Sequence, residues 1–312
     1  MTKLHFLSAL FLGPKYVHAS PAREIFAWAS SSQVDGSIEQ INNETWADIF
    51  DGIQLFCGFE FSPEGKFTVN RTVYDTCIPL IDAVHAKGGT VSACVGEVPQ
   101  VLIDDPSISF PSASALLNDF DIDGISLDDE KDCAPRGTQV EFEGWINYVN
   151  ELSDYMHLNH NGARVDAAVQ AMFGIQDDPA NDPCAEAPYK YPRNQDVIDL
   201  MNNSTIDRWL EMDTYYFSTN RYMDAIDWYT KEIDSDKLAV AVMNRDTPSD
   251  YITDEGIIAR WHALEQSGAT NLNFFLLPVS DQWLTMARRW KTQCANCPNG
   301  GSLSCYEVEL DC

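Results

Sequence analysis

The chain of 312 residues carries 48 acidic and 20 basic side chains, so its formal charge of −28 repels phosphate backbones and anionic lipid surfaces and argues against nucleic-acid and membrane-surface roles. A hydrophobic fraction of 45% with 11% aromatic residues excludes a disordered chain, and the length suits one large α/β core.

The N-terminus, MTKLHFLSALFLGPKYVHASPA, has one Lys, a short apolar run from Leu4 to Leu12, and Val17 and Ala19 where a signal peptidase reads small or apolar residues. It is expected to be a secretory leader, residues 1–19; an amphipathic first helix is the alternative, because His5 and Pro14 shorten the apolar run. No later segment approaches the ~18 apolar residues of a membrane span, so a soluble, secreted or endomembrane-lumen protein is expected. Sequons at Asn43, Asn70, Asn202 and Asn203 agree with that location.

Short apolar runs then recur at 24–30, 50–61, 89–97, 122–130, 164–173, 208–216, 237–244 and 271–279. They start roughly 35 residues apart, the length of a strand plus a crossover helix, and helical patterns alternate with them. The segment TVYDTCIPLIDAVHAKGG spaces its apolar residues three and four apart and ends in Gly88-Gly89, a C-cap pattern. SASALLNDF and DEGIIARWHALEQSG read as helices before the fourth and eighth runs. Eight such units predict a closed (β/α)8 barrel over residues 20–288; a doubly wound open sheet is the alternative, without a Gly-rich phosphate fingerprint to support it. The stretch 174–192, rich in Pro, Asp and Asn, reads as a loop above the barrel.

Nine cysteines are present, and four of them, Cys294, Cys297, Cys305 and Cys312, crowd the last nineteen residues. In an exported protein the tail, 289–312, reads as a disulfide-stapled cap; in a cytosolic one the same four could hold structural zinc. Cys94, in the apolar run VSACV, is expected to be the buried odd thiol.

The fourth run, FDIDGISLDDE at 120–130, ends in three consecutive acids. Strand alternation puts Gly124, Ser126, Asp128 and Glu130 on one face and Ile125 and Leu127 on the other. Asp128 and Glu130 then project side by side, about 7 Å apart along the backbone. Two carboxyls this close in a poorly solvated site do not both ionise readily; one keeps a proton, which makes a general acid. A solvated acidic loop is the plainer reading. A divalent-metal site is disfavoured because alternation turns Asp123 and Asp129 away from the other two, and no His spacing suits zinc, so no metal and no cofactor are expected.

Asp123, Gly124, Asp128 and Glu130 resemble the DGxDxDxE motif of glycoside hydrolase family 18, with Ser126 standing where the motif has the first Asp of its DxD pair. The segment RWLEMDTYYFST, 208–219, is similar to the sixth strand of the bacterial endo-β-N-acetylglucosaminidase branch, which ends in a tyrosine pair after a polar residue. Elsewhere over 24–283 the likeness is one of strand pattern.

The resemblance implies a monomeric glycosidase that cleaves next to N-acetylglucosamine with retention and without a protein nucleophile. Glu130 would protonate the glycosidic oxygen, Asp128 would hold the acetamido N–H and face the oxazolinium, and Tyr215 would donate to the acetamido oxygen; Tyr216 competes for that last role. Around them Ser126, Glu60, Glu97, Gln170, Trp28 and Trp283 are expected to meet the sugar at the C-terminal ends of the strands. Plainer readings stand beside these: solvated loop acids for Glu60 and Glu97, core aromatics for Trp28 and Trp283. Ser126 donates a hydrogen bond but carries no charge, which opens a second class of function, a GlcNAc-binding lectin on the same barrel. Chitin oligomers and the chitobiose core of N-glycans both present the required bond.

Overall fold

The computed structural model describes residues 23–43, 45–129, 139–169, 195–212, 219–243 and 254–292. The expected leader, the 174–192 loop and the four tail cysteines lie outside them. Eight parallel strands close a barrel: β1 (Glu24–Ser30), β2 (Gly52–Phe56), β5 (Thr90–Gly96), β6 (Gly124–Asp128), β7 (Arg164–Val169), β8 (Arg208–Glu211), β9 (Leu238–Met243) and β10 (Asn271–Phe275). Two short strands, β3 (Phe59–Phe61) and β4 (Phe67–Val69), form a separate antiparallel pair.

Between the strands run α1 (Val34–Asn42), α2 (Trp46–Ile49), α3 (Arg71–Ala86), α4 (Gln100–Asp104), α5 (Phe110–Asp119) and α6 (Gln139–Asn159). The second half adds α7 (Gln195–Asn202), α8 (Thr219–Glu232), α9 (Asp254–Ser267) and α10 (Asp281–Thr292). The expected (β/α)8 architecture is therefore observed, and β1 pairs with both β2 and β10 to close the ring. Among the described residues no helix is long and apolar enough to cross a membrane.

Both strand faces are largely buried: the outward face is apolar, while the inward face mixes apolar side chains with buried polar ones. Ile25, Ile53, Val91, Ile125, Leu127 and Val165 point outward into the layer shared with the helices. Trp28, Cys94, Ala168, Leu210, Met212, Ala239 and Ala241 fill the interior. Cys94 is a buried thiol, as expected.

The run 50–61 is broken in two. After β2, Gly58 adopts φ 73°, where a side chain would meet the Asn70 carbonyl at 3.0 Å, and the chain turns out into the β3–β4 pair. A disulfide between Cys57 and Cys77 ties this exit to α3, a pairing not read from the sequence. The helix α3 begins at the Asn70 cap, which accepts from Val73 N, and is followed by Gly88 at φ 77°, as its pattern predicts. Residue 288 is not a structural boundary: α10 continues to Thr292 and buries Trp290 in the outer core.

The N-terminal end of the barrel is clamped three times in the same way. Asp51, just before β2, donates its N–H to Ile25 O (2.7 Å) and accepts from Ile25 N (2.8 Å) and from Lys291 Nζ (2.7 Å). Asp123, just before β6, donates to Val91 O (2.7 Å), accepts from Val91 N (2.8 Å), and meets His85 Nε2 at 2.9 Å. Asp207, just before β8, repeats the arrangement with Val165 (3.0 and 2.7 Å) and His157 Nε2 (3.0 Å). Each carboxylate joins two adjacent strands and one helix.

Above the clamps the interior is ionic. Arg208 donates through Nε (3.0 Å) and Nη2 (2.6 Å) to the two oxygens of Asp166, and Arg164 donates to Glu24 at 2.8 Å. Both guanidinium groups lie over Phe26, at 3.6 Å and 4.9 Å from its centroid. Burial opposes the charge of Arg164, but Asp166 and Glu24 outweigh it and hold the guanidinium protonated above its ordinary range.

Candidate functional site

The C-terminal ends of the eight strands open on the other side, and β6 delivers Asp128 there. Register fixes which way the β6 side chains point. Ser126 is paired with Cys94 and Asp128 with Gly96, and Cys94 belongs to the interior cluster, so Ser126 and Asp128 face inward while Leu127 packs outward. Ser126 is fully buried, and its hydroxyl has no hydrogen-bond partner among the described residues; Asp128, one inward step higher, is half-buried.

Two further acids of this segment, Asp129 and Asp123, are directed elsewhere. Asp129 is 2% exposed and accepts from Val98 N at 3.2 Å, on the outer side of the strand. Asp123 sits in its clamp at the opposite end of β6. Among the described residues no group of three His, Cys, Asp or Glu side chains is placed to hold a metal.

Across the barrel from β6, aromatic side chains form the floor. Trp28 is 1% exposed and meets Phe275 edge to face, with centroids 5.5 Å apart at 76°. Phe56 and Phe275, the last inward residues of β2 and β10, are half-buried and pack on the same interior cluster as Trp28, Met212 and Leu276. Neither phenylalanine was expected at the site, yet each is two residues past an inward neighbour, Gln54 or Asn273, and strand parity alone would have found them.

Glu97 is exposed at φ 37° immediately after Gly96, the register partner of Asp128, so it stands at the mouth on the neighbouring strand. Glu60 is not on a barrel strand. It occupies the exposed face of the β3–β4 pair, opposite Phe59 and Phe61, which pack on aromatic side chains of α3, α6 and the chain after α5. Trp283 requires correction: it is on α10, 5% exposed, packed against Trp261 (5.8 Å) and Phe274 (6.3 Å) in the layer outside the barrel. Phe274 points away from the interior, so Trp283 offers no face to the mouth.

Glu130, Gln170, Tyr215 and Tyr216 lie outside the described residues. They follow the described ends of β6, β7 and β8, at Asp128, Val169 and Glu211.

No protein-family model and no curated protein matches the sequence. Solved structures do match over most of the chain. A class V chitinase from Pseudomonas fluorescens Pf-5 aligns with TM-score 0.64 at 10% identity, covering 86% of this chain and 99% of that one. A fungal endo-β-N-acetylglucosaminidase of glycosyl hydrolase family 18 aligns with TM-score 0.57 at 12% identity over 86% and 97%. A chitinase-like agglutinin from Robinia pseudoacacia aligns with TM-score 0.56 at 14% identity over 86% and 100%. The fold is that of the family 18 chitinase-like barrels, a group that holds glycosidases and at least one lectin.

Proposed function

We propose that this protein is a secreted glycosidase that cleaves β-1,4 linkages next to N-acetylglucosamine, in chitin oligomers or the chitobiose core of N-glycans, by substrate-assisted retaining catalysis. The observation that carries the reading is Asp128 at the C-terminal end of β6, facing the barrel interior across from the Trp28, Phe56 and Phe275 floor. A carboxylate opposite a flat apolar surface fits a sugar ring: the ring's C–H face packs on the aromatic side chains while the charged group meets the polar substituent.

In this scheme Asp128 accepts from the acetamido N–H and faces the positive charge that develops when the acetamido oxygen attacks the anomeric carbon. Glu130 gives its proton to the departing oxygen and takes one back from the water that opens the oxazolinium. Tyr215, with Tyr216 as its competitor, donates to the acetamido oxygen, and Gln170 and Glu97 meet sugar hydroxyls. No cofactor or metal takes part.

The second reading is a GlcNAc-binding lectin. It is favoured by one observation, the uncharged Ser126 beneath Asp128. Incubation of the mature protein with chitotetraose and with a high-mannose glycopeptide separates the two: the enzyme releases product whose first-formed anomer, read by NMR, is β; a lectin binds one of them and releases nothing.

A further inference from the structure

Ser126 is the one position where the β6 pattern departs from the motif it resembles, and the strand register explains the departure. Ser126, Asp166 and Arg208 are Cα partners in one row across β6, β7 and β8. All three side chains are buried, at 0%, 0% and 1% exposure. The row therefore already holds a carboxylate, one strand away from position 126, and a guanidinium bound to both of its oxygens.

The surrounding charges balance. Two guanidinium groups, Arg164 and Arg208, face two carboxylates, Glu24 and Asp166, with Gln54 Nε2 donating to Asp166 at 3.4 Å. Among the described residues, a further carboxylate at position 126, added to these two and to Asp128 above them, would have no cation of its own, and an uncompensated buried charge is strongly unfavourable.

We propose that Asp166 is a positioning residue, the relocated partner of the missing motif carboxylate: Asp166 on β7 carries the buried negative charge of the site, and position 126 is serine because both cannot be charged at once. The charge sits on β7, neutralised by Arg208, and leaves Asp128 above a neutral hydroxyl. The part concerning catalysis rests on the glycosidase reading; the part concerning charge does not.

The test is a double-substitution cycle read in two ways. Ser126→Asp, Asp166→Asn and the combination S126D/D166N are compared with the parent by urea unfolding at neutral pH and by kcat and KM on chitotetraose. Ser126→Asp adds a carboxylate without a cation, and Asp166→Asn leaves Arg208 without one, so each single lowers the unfolding midpoint. The combination returns to one carboxylate per guanidinium, and its midpoint rises above that of both singles. In the folded single Ser126→Asp, the new charge forces a shared proton onto the pair with Asp128, and kcat falls about tenfold with KM unchanged; the combination restores kcat. A structural role alone would not move kcat at constant KM. Losses that simply add, with the combination less stable than either single, overturn the relocation. Recovery of the midpoint in a protein whose parent releases nothing from chitotetraose or the glycopeptide upholds the relocation and removes the glycosidase reading instead.

Discussion

The two ends of the barrel hold their acids in opposite ways. At the N-terminal end Asp51, Asp123 and Asp207 each accept a strand N–H and meet a basic side chain from a helix, and just above them Asp166 is enclosed by Arg208. At the C-terminal end Asp128 is half-buried, Glu97 is exposed, and the rings of Phe56 and Phe275 are only partly covered. A charge at the closed end is matched within the protein and serves stability. A charge at the open end is presented to whatever enters, which is why a barrel keeps its chemistry at this end. The comparison predicts that substitutions at the two ends fail differently.

The largest effect is expected at the open end. Glu130→Gln keeps the size of the side chain but has no acidic proton for the leaving oxygen, so a loss of about 10²–10⁴-fold in turnover is expected. Asp128→Asn keeps the shape and removes the charge facing the oxazolinium, an electrostatic loss of roughly 3 kcal/mol, or about two orders of magnitude in rate. Neither should change the unfolding free energy read by urea titration by more than a few tenths of a kcal/mol, as Asp128 belongs to the mouth and Glu130 follows it by two positions in the chain. Turnover of a folded Glu130→Gln protein within a few-fold of the parent would remove Glu130 from the mechanism.

The closed end should respond the other way. Arg208→Met leaves Asp166 buried without its bidentate partner, and breaking one side of such a pair is expected to lower stability by about 3–5 kcal/mol. Far-UV circular dichroism with urea titration reads it. A stability loss under about 1 kcal/mol would mean that water replaces the guanidinium, and that the closed end is not closed.

Between the two ends, the Cys57–Cys77 disulfide closes a loop with a separation of 20 residues. Loop-closure entropy predicts about 3 kcal/mol of stabilisation from it. The double substitution Cys57→Ser/Cys77→Ser should lower the unfolding midpoint accordingly while reducing cleavage of chitotetraose no more than a few-fold, since the bond ties the chain just after Phe56 to α3 and does not hold Asp128.

The barrel was legible in the chain because period and spacing are local properties: the first apolar run, 24–30, coincides with β1, and the pattern after Asn70 coincides with α3. The inward face of β6 was legible for the same reason. Trp283 was misplaced although the information was present. Trp283, Met286, Ala287 and Trp290 fall at helical spacing, three, four and seven residues on, and all four are buried in the outer layer. That stripe marks a helix packed on the barrel, and Trp283 belongs to it. What no local pattern could supply is register. The row of Ser126, Asp166 and Arg208 unites residues 40 or more positions apart, and the pairing of Cys57 with Cys77 is one of many that nine cysteines permit.

The smallest effect expected concerns pH at the closed end. Among the three clamps the helix partner is Lys291 in one and a histidine in the other two, and His85 is the partner whose charge can be followed near neutrality. Burial works against the charge of His85, but its hydrogen bond to Asp123 and the nearby charges of Asp123 and Asp121 outweigh it, and its pKa is raised above the ordinary histidine value. A raised folded value stabilises the fold fully at pH below the unfolded value of about 6.5, and the contribution is lost as pH rises through the folded value. The parent should therefore be more stable relative to His85→Gln at pH 5.5 than at pH 8.5. The pair is partly exposed, and the difference should stay below about 1 kcal/mol. Urea midpoints of both proteins at the two pH values measure it. If the gap between them is equal at both, or wider at pH 8.5, His85 holds Asp123 as a neutral hydrogen-bond donor, and the charge of His85 adds nothing to the clamp before β6.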